Sequence, residues 1–263
     1  MERSVPNSLH DAGTPARRAF SLAMAAIAAC AGHGSARALD ACTAASTRSV
    51  APVVELYTSE GCNSCPPADR WLSRLKADPT VVALAFHVDY WDRLGWKDRF
   101  ASAEFTARQA AQQATNGARF SYTPQVVVDG RDRTDWSRAA VPSSARPSAA
   151  VEVMVAQQGD RFVATVTPAA GAPQRLAAYW AVTEQGHVTA VKAGENRGAT
   201  LQHDYVVRDY QTVPAWAPRT GTPQALSFQL PARADAATHP REVNLVVVDA
   251  DNGRPVQALK IGC

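Results

Sequence analysis

Cys62-Asn63-Ser64-Cys65 sets two thiols three positions apart, a spacing that lets them bond to each other and pass that bond on by exchange. Pro66-Pro67 follow directly and mark a helix start, since proline there gives up only an N–H that would be unpaired anyway. A helix N-terminus turns unpaired N–H groups and a positive dipole end toward the pair, which stabilises a thiolate. Position in the turn assigns the roles. Cys62 leaves the preceding strand into an exposed turn and is the attacking thiolate. Cys65 is drawn under the helix and is the resolving thiol. Pro124 joins them, because a strand led by Thr123-Pro124 lacks one N–H and keeps an edge open for an extended substrate chain.

Around this pair stand residues able to move a proton. Glu55 lies on the strand that leads into the turn. His87, Asp89, Tyr90, Trp91 and Asp92 close the next strand, at the sheet edge where α/β sites form. One reading makes His87 or Asp89 a proton carrier for the dithiol; the other makes His87 a satisfied core histidine and Asp89 a loop cap. Trp91 and Trp96 read as packing. Gly194-Glu195-Asn196-Arg197-Gly198 reads as a tight connection with residues at positive φ, the alternative being a loop that holds a ligand or partner. His187 and His203 lack a partner at metal spacing and read as surface or structural.

Hydrophobic pattern supplies the elements that must carry these groups. Pro52–Tyr57 is a strand. Val81–Val88 is a near-continuous apolar run, as in a strand covered on both faces. Apolar residues at 100, 103, 107, 111 and 114 keep a helical period, ended by Asn116-Gly117. Asp129-Gly130 is a hairpin signal after Gln125–Val128. Residues 141–150 have linker composition. Beyond them, Val151/Val153/Val155, Phe162/Ala164/Val166, Leu226/Phe228/Leu230 and Val243/Leu245/Val247 alternate with period two, and Asp251-Asn252-Gly253 is another turn. The fold this predicts is an α/β thioredoxin-like domain over 39–140, then a separate all-β antiparallel sandwich over 151–263.

Several blocks resemble a known family. Glu55-Leu56-Tyr57-Thr58-Ser59-Glu60-Gly61-Cys62-Asn63-Ser64-Cys65-Pro66-Pro67-Ala68-Asp69 is similar to the signature of the exported thioredoxin-like family called domain of unknown function 1223. His87–Asp92, Leu94–Asp98, Arg108-Gln109, Tyr122–Gln125 and Gly194–Gly198 match its later blocks. The resemblance covers most of the chain after residue 38 and implies fold and export, with Thr123-Pro124 as a cis-proline opposite the dithiol. Three departures from ordinary thioredoxins bear on the chemistry. Pro66-Pro67 follow directly after Cys65, so the helix is expected to begin later relative to the dithiol, which weakens its dipole's hold on Cys62. Gly61, not tryptophan, precedes Cys62. Glu55 sits one position farther from the first cysteine than the thioredoxin buried acid. A one-residue shift turns a strand side chain to the other face, so a salt-bridged or substrate-facing Glu55 competes with a proton-accepting one.

The N-terminus reads as an export signal over 1–38: Arg17-Arg18, an Ala-rich apolar run to Cys30, then Ala36-Arg37-Ala38 as a cleavage site. The product is expected in the periplasm or outside the cell, by the Sec or twin-arginine route; lipidation at Cys30 is the alternative. Of the five cysteines, cleavage after Ala38 removes Cys30. That leaves the dithiol plus Cys42 and Cys263, expected as a structural disulfide worth about 5 kcal/mol by loop-closure entropy.

A net charge of +3 without a basic block excludes a nucleic-acid partner, and no apolar stretch past the N-terminus is long enough to span a membrane. The expected function is disulfide exchange with exported protein thiols or disulfides and a redox partner protein, with no cofactor and no metal. The alternatives are Cu(I) handling by Cys62, Cys65 and a nearby His87, or an interaction module with a structural dithiol. The dipeptide Asn63-Ser64 does not by itself set the direction of exchange.

Overall fold

The computed structural model describes residues 42–138, 146–232 and 238–262. The expected signal segment, Cys30, Cys263 and residues 141–145 of the expected linker lie outside the described residues; Cys42 is disulfide-bonded.

After a short strand β1 (Thr43–Ala45) comes β2 (Val53–Thr58), six residues buried throughout. The dithiol turn leads into α1 (Pro66–Ser73), with two prolines in its first turn and a 3₁₀ extension over Arg74–Ala77. β3 (Val82–His87) is buried along its length, as the apolar run predicts, and pairs in parallel with β2. α2 (Ala103–Thr115) starts at Ser102, whose hydroxyl accepts from the Phe105 N–H, a normal N-cap. β4 (Gln125–Val128) and β5 (Arg131–Asp132) form a hairpin, with Asp129 and Gly130 both at positive φ as that turn demands.

The second half supplies β6 (Val151–Gln158), β7 (Arg161–Pro168), β8 (Leu176–Glu184), β9 (His187–Ala190), β10 (Thr200–His203), β11 (Val206–Trp216), β12 (Gln224–Gln229), β13 (Arg241–Asp249) and β14 (Pro255–Ile261). β1, β6, β7 and β12 make a four-stranded sheet, and β9 with β10 a two-stranded one. The rest join a single eight-stranded sheet in the order β14-β13-β8-β11-β3-β2-β4-β5.

This corrects the expected architecture. The chain is not an α/β thioredoxin-like domain followed by a separate sandwich. Among the described residues it is mostly β, with three sheets and two short α-helices of 8 and 13 residues. The join is made at β3, whose free edge takes up β11 in parallel at Ala85 and Val206, with the Ala85 N–H donating to the Tyr205 carbonyl at 2.8 Å. The period-two pattern of the second half concealed this. It is real on the side where Trp180, Leu245 and Val247 meet Val153, Phe162 and Phe228 of the four-stranded sheet. The other side of β8 and β13 is not solvated. Tyr179, Ala181 and Val246 form one core with Tyr57, Phe86 and Phe105 beneath α2. A third core sits under α1, where Ala68, Trp71 and Leu72 cover Val54, Leu56, Ala83 and Ala85.

Arg108 of α2 locks this arrangement. Its guanidinium lies over the rings of Phe86, Tyr179 and Tyr210, at 4.8, 4.3 and 4.8 Å from their centroids. It pairs with Glu55 and donates to the Tyr210 hydroxyl. Glu55 also accepts from the Tyr179 hydroxyl at 2.5 Å. One cation thus ties β2, β3, β8 and β11. Its field also sits among competing influences: burial, then Glu55, push the Tyr57 and Tyr179 hydroxyls far above the ordinary tyrosine range, against the pull of Arg108. Arg108→Met should lower unfolding stability by about 3 kcal/mol or more, because Glu55 is left buried without its cation. Glu55→Leu with Arg108→Met should cost less than the single change. Urea titrations of wild type, Arg108→Met and the double variant check this; a double variant as weak as Arg108→Met or weaker would refute it.

Candidate functional site

Gly61 carries the chain from β2 into the dithiol turn. A Cβ there would come within 3.0 Å of the Trp91 Cβ, so only glycine lets Trp91 lie this close. Cys62 and Cys65 are joined as a disulfide with Cα atoms 5.5 Å apart. Cys65 is the N-cap of α1, and its carbonyl accepts from the N–H groups of Ala68 and Asp69. Both cysteines are 0% exposed, while Asn63 and Ser64 between them face solvent. The expected exposed Cys62 is therefore covered in the disulfide form, and the dipeptide is what the surface presents.

The cover is built from distant segments. The Thr123–Pro124 bond is cis. The Thr123 hydroxyl donates to Cys62 Sγ at 3.2 Å and itself accepts from the Trp91 indole N–H at 2.8 Å. Ser64 donates to the Thr123 carbonyl at 3.3 Å, and its Oγ lies 3.4 Å from Cys62 Sγ. The cis bond thus sets Thr123 against Cys62, with Pro124 next to it in the chain. Trp91, read there as packing, holds the hydroxyl that faces the sulfur.

The Gly194–Gly198 segment was read as a tight connection. It is one, with both glycines at positive φ, but it also reaches the site. Asn196 donates from Nδ2 to the carbonyls of Glu60 and Cys62 at 2.8 and 2.9 Å. Glu195 Oε2 accepts from the Asn63 N–H at 3.2 Å. No period or spacing marks these two residues as partners of a turn so far away in sequence.

The other expected members of the site go elsewhere. Glu55 Oε1 is taken by Arg108 and Tyr179, which is the salt-bridged alternative. His87 is fully buried, its Nδ1 2.6 Å from Asp98 Oδ2, and Asp98 also accepts from the N–H groups of Glu60 and Phe100. Burial pushes the Asp98 carboxyl up, but His87 and those N–H groups hold it below the usual range. Asp89 caps its loop, taking the Thr106 hydroxyl at 2.6 Å. Of the two histidines read as surface or structural, neither is on the surface. His187 is buried against Glu184 at 2.9 Å, and burial, then His239, lower it to about 4. Among the described residues no three His, Cys, Asp or Glu are grouped to hold a metal ion.

What the sequence did not reveal is a buried charged group beneath the turn. His203 of β10 sits with Nε2 3.6 Å from Glu60 Oε1 and Nδ1 3.7 Å from Asp69 Oδ1, ion-pair rather than hydrogen-bond distances. Glu60 precedes the dithiol by two residues and also accepts from the Trp96 indole N–H at 2.8 Å. Asp69 lies one turn into α1 and accepts from the Thr58 hydroxyl at 3.1 Å. Burial would push the His203 imidazole down, but Asp69 and Glu60 raise it to about 10. Burial, the largest influence, likewise pushes Glu60 up, but His203, Thr189 and Trp96 together bring it below the usual range.

A raised folded-state value gives stability that is whole below the unfolded histidine value of about 6.5 and is lost as pH climbs. The loss runs up through about 10. Wild-type stability should therefore fall between pH 7 and 10 by more than that of His203→Gln, which starts lower. Denaturant titrations at both pH values check this; parallel losses in the two proteins would refute it.

Comparison with known proteins adds the following. No curated protein matches the chain. A crystal structure of protein AGR_C_4864 from Agrobacterium tumefaciens is similar, with TM-score 0.62 and 28% identity, over 82% of this chain and 95% of that one. HBP35 of Porphyromonas gingivalis is similar in fold alone, with TM-score 0.57 and 16% identity, over 82% of this chain and 76% of that one. The family described as Protein of unknown function (DUF1223) matches residues 53–249, the span that holds the dithiol turn, Thr123–Pro124 and the Glu195–Asn196 tip, and the chain belongs to that family.

Proposed function

We propose that this chain is a thiol–disulfide oxidoreductase that uses Cys62 and Cys65 on exported proteins. The observation that carries the reading is the hydrogen-bond chain from the Trp91 indole through the Thr123 hydroxyl to Cys62 Sγ. A hydroxyl aimed at one sulfur of a disulfide is a donor waiting for a thiolate, and a hydrogen bond to the charged form favours it. Ser64 Oγ lies 3.4 Å from the same sulfur and can turn its hydroxyl to it once it releases the Thr123 carbonyl. Both favour Cys62 as the thiolate that attacks and leaves.

The exchange runs through one mixed disulfide. The Cys62 thiolate attacks a substrate disulfide, one substrate sulfur departs as thiolate, and Cys62 is joined to the other. Cys65 then loses its proton and attacks Cys62 Sγ. The second substrate sulfur leaves, and the Cys62–Cys65 bond forms again with two electrons passed to the substrate. Oxidation of a substrate dithiol is the same path reversed. The incoming chain meets the exposed Asn63–Ser64 dipeptide, and Ser64 must leave the Thr123 carbonyl for it to reach Cys62. Arg17-Arg18, the apolar run and Ala36-Arg37-Ala38 support an exported, oxidising setting, where such a pair and its partner protein would work.

Cys65→Ala should accumulate mixed disulfides through Cys62, visible as thiol-sensitive adducts on non-reducing gels, while Cys62→Ala should accumulate few. Trapping that follows Cys65 instead, or no adduct from either variant, would sink the reading.

A further inference from the structure

The β9–β10 hairpin, a two-stranded sheet of its own, approaches the dithiol at two points. Its base is held by His203 between Glu60 and Asp69. Its tip holds Glu195 and Asn196, 132 and 134 residues from their contacts on the turn. The tip is closely fitted. Gly194 has φ +70°, and a Cβ there would lie 3.2 Å from the Trp96 Cβ. An amide nitrogen carries two hydrogens, and Asn196 gives to two carbonyls, those on either side of Gly61. The turn is thus held from one side by Trp91 and from the other by Asn196.

We propose that Glu195 and Asn196 are positioning residues for the Cys62/Cys65 couple. Asn196 docks the tip, and the Glu195 carboxylate then biases the couple toward its disulfide form. The proposal deepens the oxidoreductase reading and takes its meaning from it. Glu195 Oε2 sits on the N–H of Asn63, the residue directly after Cys62. Reducing the bond creates negative charge at Cys62, beside a negative charge already in place, and like charges disfavour each other's ionised form. The same carboxylate occupies a backbone N–H of the turn that would otherwise be free to face the new thiolate.

The test is equilibration of the full chain with a glutathione series. Each reduction breaks the Cys62–Cys65 bond, turns two glutathione thiols into glutathione disulfide and leaves two cysteine thiols. Glu195→Gln keeps the acceptor oxygen and removes the charge. It should raise the equilibrium constant for reduction about tenfold, which is about 30 mV for a two-electron couple. Because Glu195 is exposed, the shift should shrink in about 1 M salt, where the screening length falls to about 3 Å. The reduced variant should also react faster with iodoacetamide at neutral pH. Asn196→Ala should shift the constant in the same direction, and the double variant should move it no further than the larger single change, since one residue acts through the other. A constant within about twofold of wild type in Glu195→Gln overturns the proposal whatever Asn196→Ala does, and a loss of melting temperature alone would make the tip mere packing. Failure of the oxidoreductase reading is seen separately: the pair then titrates normally while Cys65→Ala traps nothing.

Discussion

Arg108 carries a charge to a place where water cannot compensate it, and that single requirement organises much of the molecule. A buried cation must be paired, and Glu55 on β2 supplies the pair. It must also be faced by polarizable surface, and Phe86, Tyr179 and Tyr210 supply it from β3, β8 and β11. These four strands belong to both halves of the chain. The pairing of β3 with β11 is a single parallel bridge at Ala85 and Val206, a slender join by itself. Arg108 spans that join from above, and the core of Tyr57, Phe86, Phe105, Tyr179 and Val246 fills the space around it. The eight-stranded sheet is therefore continuous because the residues across its seam share one cation and one core.

The site depends on the same join. With β11 beside β3, the hairpin between β8 and β11 falls over α1 and the dithiol turn. His203 then lies between Glu60 and Asp69, and Asn196 reaches the carbonyls flanking Gly61. From the other direction, the loop after β3 brings Trp91, and the lead into β4 brings Thr123. Three separate stretches of chain converge on the dithiol turn. Between them they contribute four different things: a hydroxyl to the sulfur, an indole to the hydroxyl, an amide to the backbone, a carboxylate to an N–H. Both sulfurs are buried as a result, and reactivity is governed by what the surrounding segments allow rather than by the cysteines alone.

Beneath the turn, charge is arranged in a way that favours cohesion over exposure. Three carboxylates, Glu60, Asp69 and Asp98, and two histidines, His87 and His203, are enclosed near one another, the two imidazoles 5.0 Å apart. Such a group is stable only when its charges are matched, and here His203 is matched on both sides. It anchors the base of the hairpin whose tip meets the dithiol.

Much of this was legible in the amino-acid order because it is local. The Cys62–Cys65 pair, the prolines that open α1, the Asn116-Gly117 stop, the Asp129-Gly130 hairpin and the buried run of β3 each follow from neighbours a few residues apart. Alternation over 151–166 and 243–247 was equally readable, yet it describes only one face of a strand. Tyr179, Ala181 and Val246 sit on the other face, and whether that face meets water or α2 is decided by what packs there. That is why a sandwich closed on itself was expected and one shared sheet was found. His87, Asp89 and Glu55 were placed at the site by position along their strands, but each was claimed first by a nearer partner: Asp98, Thr106 and Arg108. Residue order by itself determined the cysteine pair, its turn and the elements on either side of it. Tertiary structure alone decided that Trp91, Glu195 and Asn196 surround the pair, because hydrogen bonds between segments up to 136 residues apart leave no period or spacing in the chain.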